Sequence, residues 1–157
     1  MNKTNAMRLL DAANIPYRAV EYEYDDNDLG GQRVAEVTGM NPDQVFKTLV
    51  ARGERKGILV FCIPVSCTLD LKKAAAAAGD KKVEMIHMKE LLGLTGYIRG
   101  GCSPVGMKKK YPTWIDETAL LYDEIAISGG ARGMQMVLEP EPLMGYADMA
   151  AADLVEY

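Results

Sequence analysis

Two apolar runs of strand-forming residues, Val45-Phe-Lys-Thr-Leu-Val-Ala51 and Gly57-Ile-Leu-Val-Phe-Cys-Ile63, constrain the fold of this chain more than any other feature. The short polar turn Arg52-Gly-Glu-Arg-Lys56 joins them, which predicts an antiparallel hairpin. Helical patterns lie on both sides of it. Thr4 can cap a helix running through Ala13, with Ala6, Met7, Leu10 and Ala13 on one face. A short helix is expected from about Gln32 to Thr38, stopping at Gly39. Asp70 can cap another through the five alanines at 74–78, with Gly79 ending it, and a further short helix is expected from Met88 to Leu92. The alternation from Tyr17 to Tyr24 reads as a strand, followed by an acidic turn at Asp25–Gly30. Ile115, Glu124–Ser128 and Met134–Leu138 mark three later strands, and the segment from Pro142 is weakly helical. Hairpins and helices in mixed order predict an α+β domain rather than a doubly wound sheet. No repeat or linker divides residues 1–157, so one domain is expected.

Composition narrows the functional classes. No apolar run reaches the ~20 residues of a membrane span, and the first residues lack an apolar signal region. Three cysteines (Cys62, Cys67, Cys102) in or beside apolar segments argue against a disulfide framework and for a reducing cytoplasm. Without a CxxC, HExxH or His/Cys cluster, no zinc site is expected, and no cofactor is called for. The net charge of −4 is unevenly spread. Residues 47–110 hold 13 Lys/Arg against 5 Asp/Glu, whereas residues 111–157 hold 1 against 9. A basic middle third fits contact with a phosphate backbone over a limited area, or lysines that merely solvate helix faces. The overall acidity argues against strong independent binding to nucleic acid, so a second protein would have to supply affinity for an RNA.

Chemistry is most concentrated in Thr95-Gly-Tyr-Ile-Arg-Gly-Gly-Cys-Ser-Pro-Val-Gly-Met-Lys-Lys-Lys110. Gly100 and Gly101 let a ligand approach the backbone N–H groups, and Pro104 stiffens the loop. Such a turn can aim donors at an anion or oxyanion, although an ordinary tight turn has the same composition. Lys47, inside a strand, faces either solvent or a cleft; in a cleft it is a cation for an anionic or carbonyl oxygen, or an amine of lowered pKa. Ser128 ends a strand and enters Gly129-Gly-Ala-Arg-Gly133, as a turn serine or as a hydroxyl presented to a ligand. That loop lacks the GK[ST] of a nucleotide triphosphatase. His87 and Cys102 have no evident base or acid partner, and Tyr22 and Tyr24 read first as sheet-packing aromatics. With no nucleophile–base pair, a reaction here would rely on water or on a group of the substrate.

Taken together, Val45-Phe-Lys-Thr-Leu49, Leu71-Lys-Lys-Ala74, Lys81-Lys-Val-Glu-Met85, Thr95-Gly-Tyr-Ile98, Gly100-Gly-Cys-Ser-Pro-Val-Gly106 with Lys108-Lys109, and Ser128-Gly-Gly-Ala-Arg-Gly133 closely resemble the YbaK/EbsC family. Its members are free-standing relatives of the editing domain inserted in bacterial prolyl-tRNA synthetase. The resemblance runs in order from the first helix to Leu138 and is closest to the branch that removes cysteine from proline tRNA. It implies a mixed, partly barrel-like sheet surrounded by helices. It implies that Lys47 is the essential lysine, that Gly100 to Pro104, including Gly101, is the Gly-x-x-x-Pro loop, and that Tyr22, Ser128 and Gly129 belong to the substrate pocket. It implies a deacylase of Cys-tRNA(Pro), with prolyl-tRNA synthetase as partner, in which the substrate's own thiol attacks its carbonyl carbon. Cys102 stands where relatives often carry an aliphatic residue, and the tail from Glu139 matches no motif. A deacylase for alanine or another small amino acid, and a non-catalytic module that binds tRNA or synthetase, are the alternatives.

Overall fold

The computed structural model describes residues 2–24 and 31–157; the acidic turn expected at Asp25–Gly30 lies outside the described residues. Helix α1 (Asn5–Ala12) starts at Thr4, whose Oγ accepts from the Met7 N–H and donates to the Gly129 carbonyl. One side chain thus caps the helix and fastens it to a distant loop. Strand β1 (Arg18–Glu21) is shorter than the alternation predicted: its last backbone bond to the partner segment is from the Tyr22 N–H to the Gly133 carbonyl. Helix α2 (Gly31–Thr38) stops at Gly39, whose φ of +70° suits glycine. The hairpin forms as expected from β2 (Phe46–Gly53) and β3 (Gly57–Pro64), paired along their whole length. Helix α3 (Leu71–Ala78) runs from the Asp70 cap to Gly79 in the left-handed conformation.

Strand β4 (Val83–Met85) follows, then a 3-10 turn at Met88–Glu90 that leads into helix α4 (Leu91–Thr95). The later strands are β5 (Thr113–Asp116), β6 (Ile125–Ser128) and β7 (Met134–Leu138). Helix α5 (Pro140–Ala147) begins slightly before the expected Pro142, and β8 (Met149–Ala152) closes the order of elements. Strands β4 and β8 were not expected from the sequence.

The strands form two sheets, β1-β7-β6 and β4-β2-β3-β5-β8. Strands β3, β5 and β8 are mutually parallel and the other pairs antiparallel, so the larger sheet is mixed, as an α+β domain of this kind requires. An isolated parallel bridge, Val45 to Ala126, joins the sheets at one corner. The partly barrel-like sheet of the expectation is therefore two sheets sharing a corner, without a closed barrel. One core cluster lies under α1, around Met7, Leu10, Phe46, Ile127 and Met136. A second lies under α3, around Leu59, Phe61, Ile63 and Ala74.

The corner creates an opening. A strand has two edges, and β3 occupies one edge of β2 throughout. On the other edge β4 pairs with Ala51–Gly53 only, and Ala126 bridges at Val45 only. Between these contacts lies a stretch of β2 that begins one residue past the bridge. The candidate site is at this gap. Among the described residues, no helix is long and apolar enough to cross a membrane.

Candidate active site

A cavity of about 400 Å³ opens at the gap, lined on its floor by Val45 and by residues 46–50 of β2. Its walls come from the end of β4, the Arg99–Cys102 loop, the ends of β6 and β7, and the Tyr22–Tyr24 segment after β1. Lys47, Gly100, Tyr22 and Ser128 all line it, so four residues singled out in the sequence come together from four separate segments. Lys47 is half-buried, and burial holds its pKa below the ordinary lysine value, with Cys67 acting in the opposite direction. Of the two placements open to a strand lysine, the cleft is the one found.

Two glycine loops build the far wall. Gly100 has φ +86°, a left-handed turn that exposes its peptide. Gly101 is bare for another reason: a Cβ there would lie 3.2 Å from the backbone of Ala131 and Arg132. The loop 99–102 and the loop 129–133 therefore pack backbone to backbone, and Arg132 Nε donates to the Arg99 carbonyl at 2.8 Å. The Gly101 N–H donates to the Ile98 carbonyl at 3.0 Å, so it is not available to a ligand. The N–H groups of Gly100 and Cys102, by contrast, have no acceptor among the described residues, and both residues line the cavity. Of the other expected site residues, Pro104 and Gly129 do not line it. The Gly129 N–H donates to the Met134 carbonyl, and a Cβ at Gly129 would lie 2.8 Å from Met134 Cγ. That glycine serves packing at the end of the sheet.

Ser128 and Gln135 face each other across β6 and β7 in register. Ser128 Oγ accepts from the Gly130 N–H at 3.1 Å, which leaves its own proton for a ligand. Gln135, 5% exposed, lines the cavity, and its Oε1 is buried without a partner among the described residues. An unmet buried acceptor is costly, which makes a bound donor its natural partner. Sequence reasoning passed over Gln135; the signal was a lone amide inside the apolar run Met134-Gln-Met-Val-Leu138. Arg33 and Arg99, also overlooked, line the cavity.

None of Cys102, Cys62 and His87 is poised as a nucleophile. Burial pushes the Cys102 thiol up to about 12, with Thr95 pulling slightly the other way, and burial likewise raises Cys62 to about 12. His87 is exposed, and its N–H is held by Glu90 at the start of the 3-10 turn. The cavity thus offers a cation, two open N–H donors, a hydroxyl and an amide acceptor. It can bind and polarise an ester, but supplies no activated sulfur or oxygen among the described residues.

The sequence and the fold both match known proteins. The aminoacyl-tRNA editing domain family matches residues 31–146. The chain is 46% identical over 152 residues to the "Putative Cys-tRNA(Pro)/Cys-tRNA(Cys) deacylase EbsC" of Enterococcus faecalis, covering 97% of this chain and 93% of that protein. It is 23% identical over 125 residues to the uncharacterised protein YwhH of Bacillus subtilis, covering 80% of this chain and 79% of that one. A solved structure described as "a putative trans-editing enzyme for prolyl tRNA synthetase" superposes with a TM-score of 0.84 at 28% identity, covering 100% of both chains.

Proposed function

The chain belongs to the aminoacyl-tRNA editing domain family, and we propose that it is a trans-editing deacylase that clears cysteine from proline tRNA. The observation that supports this reading is one cavity of about 400 Å³ lined by Lys47, Gly100, Cys102, Ser128 and Gln135, with no activated nucleophile among the described lining residues. In the reaction we infer, the substrate's cysteine sulfur attacks its own carbonyl carbon. The Gly100 and Cys102 N–H groups take the oxyanion as it forms. The ester C–O bond then breaks, and the ribose oxygen leaves with the proton lost by the thiol. The thiolactone formed opens with water to free cysteine. Lys47 holds the aminoacyl-adenosine end by charge-assisted hydrogen bonds. Gln135 Oε1 accepts from the substrate's α-ammonium, and Ser128 donates to the ribose.

Selectivity in this scheme is chemical, because alanine and proline lack the attacking thiol. Deacylation of proline tRNA charged with cysteine, serine, alanine or proline tests it. Cysteine should leave fastest and serine far more slowly, since a hydroxyl is a weak nucleophile at neutral pH. Equal release of cysteine and serine would exclude attack by the substrate. The lining surrounds the aminoacyl end of a tRNA rather than its anticodon, so cysteine tRNA carrying cysteine should be cleaved as well by the isolated protein. The reading also assigns prolyl-tRNA synthetase as the partner that supplies proline tRNA, motivated by the net charge of −4. Adding the synthetase should then lower KM for proline tRNA and leave KM for cysteine tRNA unchanged.

A further inference from the structure

The floor of the cavity holds a second recognition element, the backbone edge of β2 itself. Val65 N–H donates to the Val45 carbonyl on the β3 edge, whereas Ile86 N–H donates to the Val50 carbonyl on the opposite edge. Backbone groups of successive residues alternate between edges along a strand. The odd-numbered residues of this stretch therefore turn toward β3, and Phe46, Thr48 and Val50 turn toward the gap. Strand β4 ends at Met85, and the chain enters the 3-10 turn at Met88 before it can pair with Thr48. No strand pairs with Thr48 on this edge among the described residues, and Phe46 and Thr48 both line the cavity. Unpaired strand edges are ready templates for a ligand with matching donors and acceptors. Apolar side chains line the same cavity: Ile86 and Leu91 from one apolar cluster, Val34 and Tyr22 from another, and Met88. A flat aromatic heterocycle with a donor beside an acceptor matches an open strand edge in a cavity with this apolar lining.

We infer that the open edge of β2 reads the terminal adenine of the tRNA, the Thr48 N–H donating to N1 and a neighbouring edge carbonyl, Phe46 or Thr48, accepting from the N6 amino group. The inference rests on the deacylase reading, whose aminoacyl ester sits on the 3′-terminal adenosine, and it assigns the base a subsite next to Lys47. Amino-acid chemistry would then decide the rate of ester cleavage, while the base anchors the ester carbonyl beneath the Gly100 and Cys102 donors. An edge of this kind specifies donor–acceptor order, so it discriminates against inosine, which presents N1–H and O6 in place of N1 and N6–H.

The test uses cysteinyl proline tRNA whose 3′-terminal adenosine is replaced by inosine or by N6,N6-dimethyladenosine, each charged with cysteine by an acylating ribozyme. With two hydrogen bonds reversed into like-facing groups, kcat/KM for inosine should fall by about tenfold or more. The dimethylated base, which lacks the donor and is bulkier, should fall comparably, through KM rather than kcat. Equal kcat/KM for all three termini, with the adenosine substrate turned over normally, would overturn the edge assignment and leave the deacylase reading standing. No turnover of the adenosine substrate itself would overturn the deacylase reading, and this inference with it.

Discussion

Lys47 and Gln135 each carry a cost in the free protein, and the proposed reaction gives each cost a use. Lys47 is half-buried with its pKa lowered by desolvation, so the folded chain carries an imperfectly solvated cation. Replacing it by alanine should remove a charge-assisted interaction of about 1.5–3 kcal/mol, about 10- to 150-fold in kcat/KM. The melting temperature should stay near that of the wild type; a collapsed melt would show a structural lysine instead. The same shift gives a pH dependence. The rate should rise with pH as the substrate thiol ionises, near 8.5 for a free cysteine. It should fall again at a pH below the ordinary lysine value of 10.5, as Lys47 loses its proton. Because burial holds Cys102 as a thiol up to about 12, Cys102→Ser should keep the rising limb; loss of that limb would move the nucleophile onto the protein. Gln135 carries its cost as a buried oxygen without a partner. Gln135→Met keeps the size and removes the unmet acceptor, so it should raise stability by about 1–3 kcal/mol while lowering kcat/KM for cysteinyl proline tRNA. A variant that is less stable and fully active would show that the amide is satisfied in the free protein and has no ligand role.

At the scale of elements, the signals that were legible are local ones. The β2–β3 hairpin announces itself by two apolar runs and a polar turn, and α3 by Asp70, an alanine run and Gly79. Strand β8 shows the limit. Its sequence Met149-Ala-Ala-Ala152 is made of helix formers, and it becomes a strand by parallel pairing with β5. Strand β4 has three residues and is defined by the end of β2 that it covers. The gap that makes the cavity follows from where β4 stops and where Ala126 bridges, both long-range contacts that no window of sequence contains. Loop hydrogen bonding was hidden for the same reason. Gly100 and Gly101 look equivalent as a pair, yet the turn back to Ile98 takes one N–H and leaves the other. Elements that do not border the cavity should be separable from activity, and α3 provides the case. Its Asp70 cap accepts from the N–H groups of Lys72 and Lys73, and no α3 residue lines the cavity. Asp70→Ala should cost about 1 kcal/mol, a fall of about 2–4 °C in melting temperature, with kcat/KM unchanged below the transition. A loss of activity matching the loss of stability would mean that α3 is coupled to the Lys47 face of β2.

The whole molecule has to bring an acidic chain up to a polyanion. The three exposed lysines 108–110 follow the glycine loop in sequence, while Arg33 and Arg99 line the cavity. Not all of this charge is available. Lys110 is paired with Asp148 at 2.6 Å, so Lys108 and Lys109 are the better candidates for phosphate contact. Each phosphate neutralised contributes about 0.7–0.9 to the slope of log K against log salt. Lys108→Glu with Lys109→Glu should therefore raise KM for cysteinyl proline tRNA, flatten its salt dependence by about 1–2 units of slope, and leave kcat alone, because neither side chain borders the ester. A non-catalytic binding module would show the same loss of affinity without turnover in any variant, and Lys47→Ala would then bind tRNA normally with no reaction to lose. If the synthetase carries most of the tRNA's binding energy, the KM defect of the double charge reversal should shrink when the synthetase is added. A defect of undiminished size would mean that this basic strip, and not the partner, places the acceptor end at the cavity.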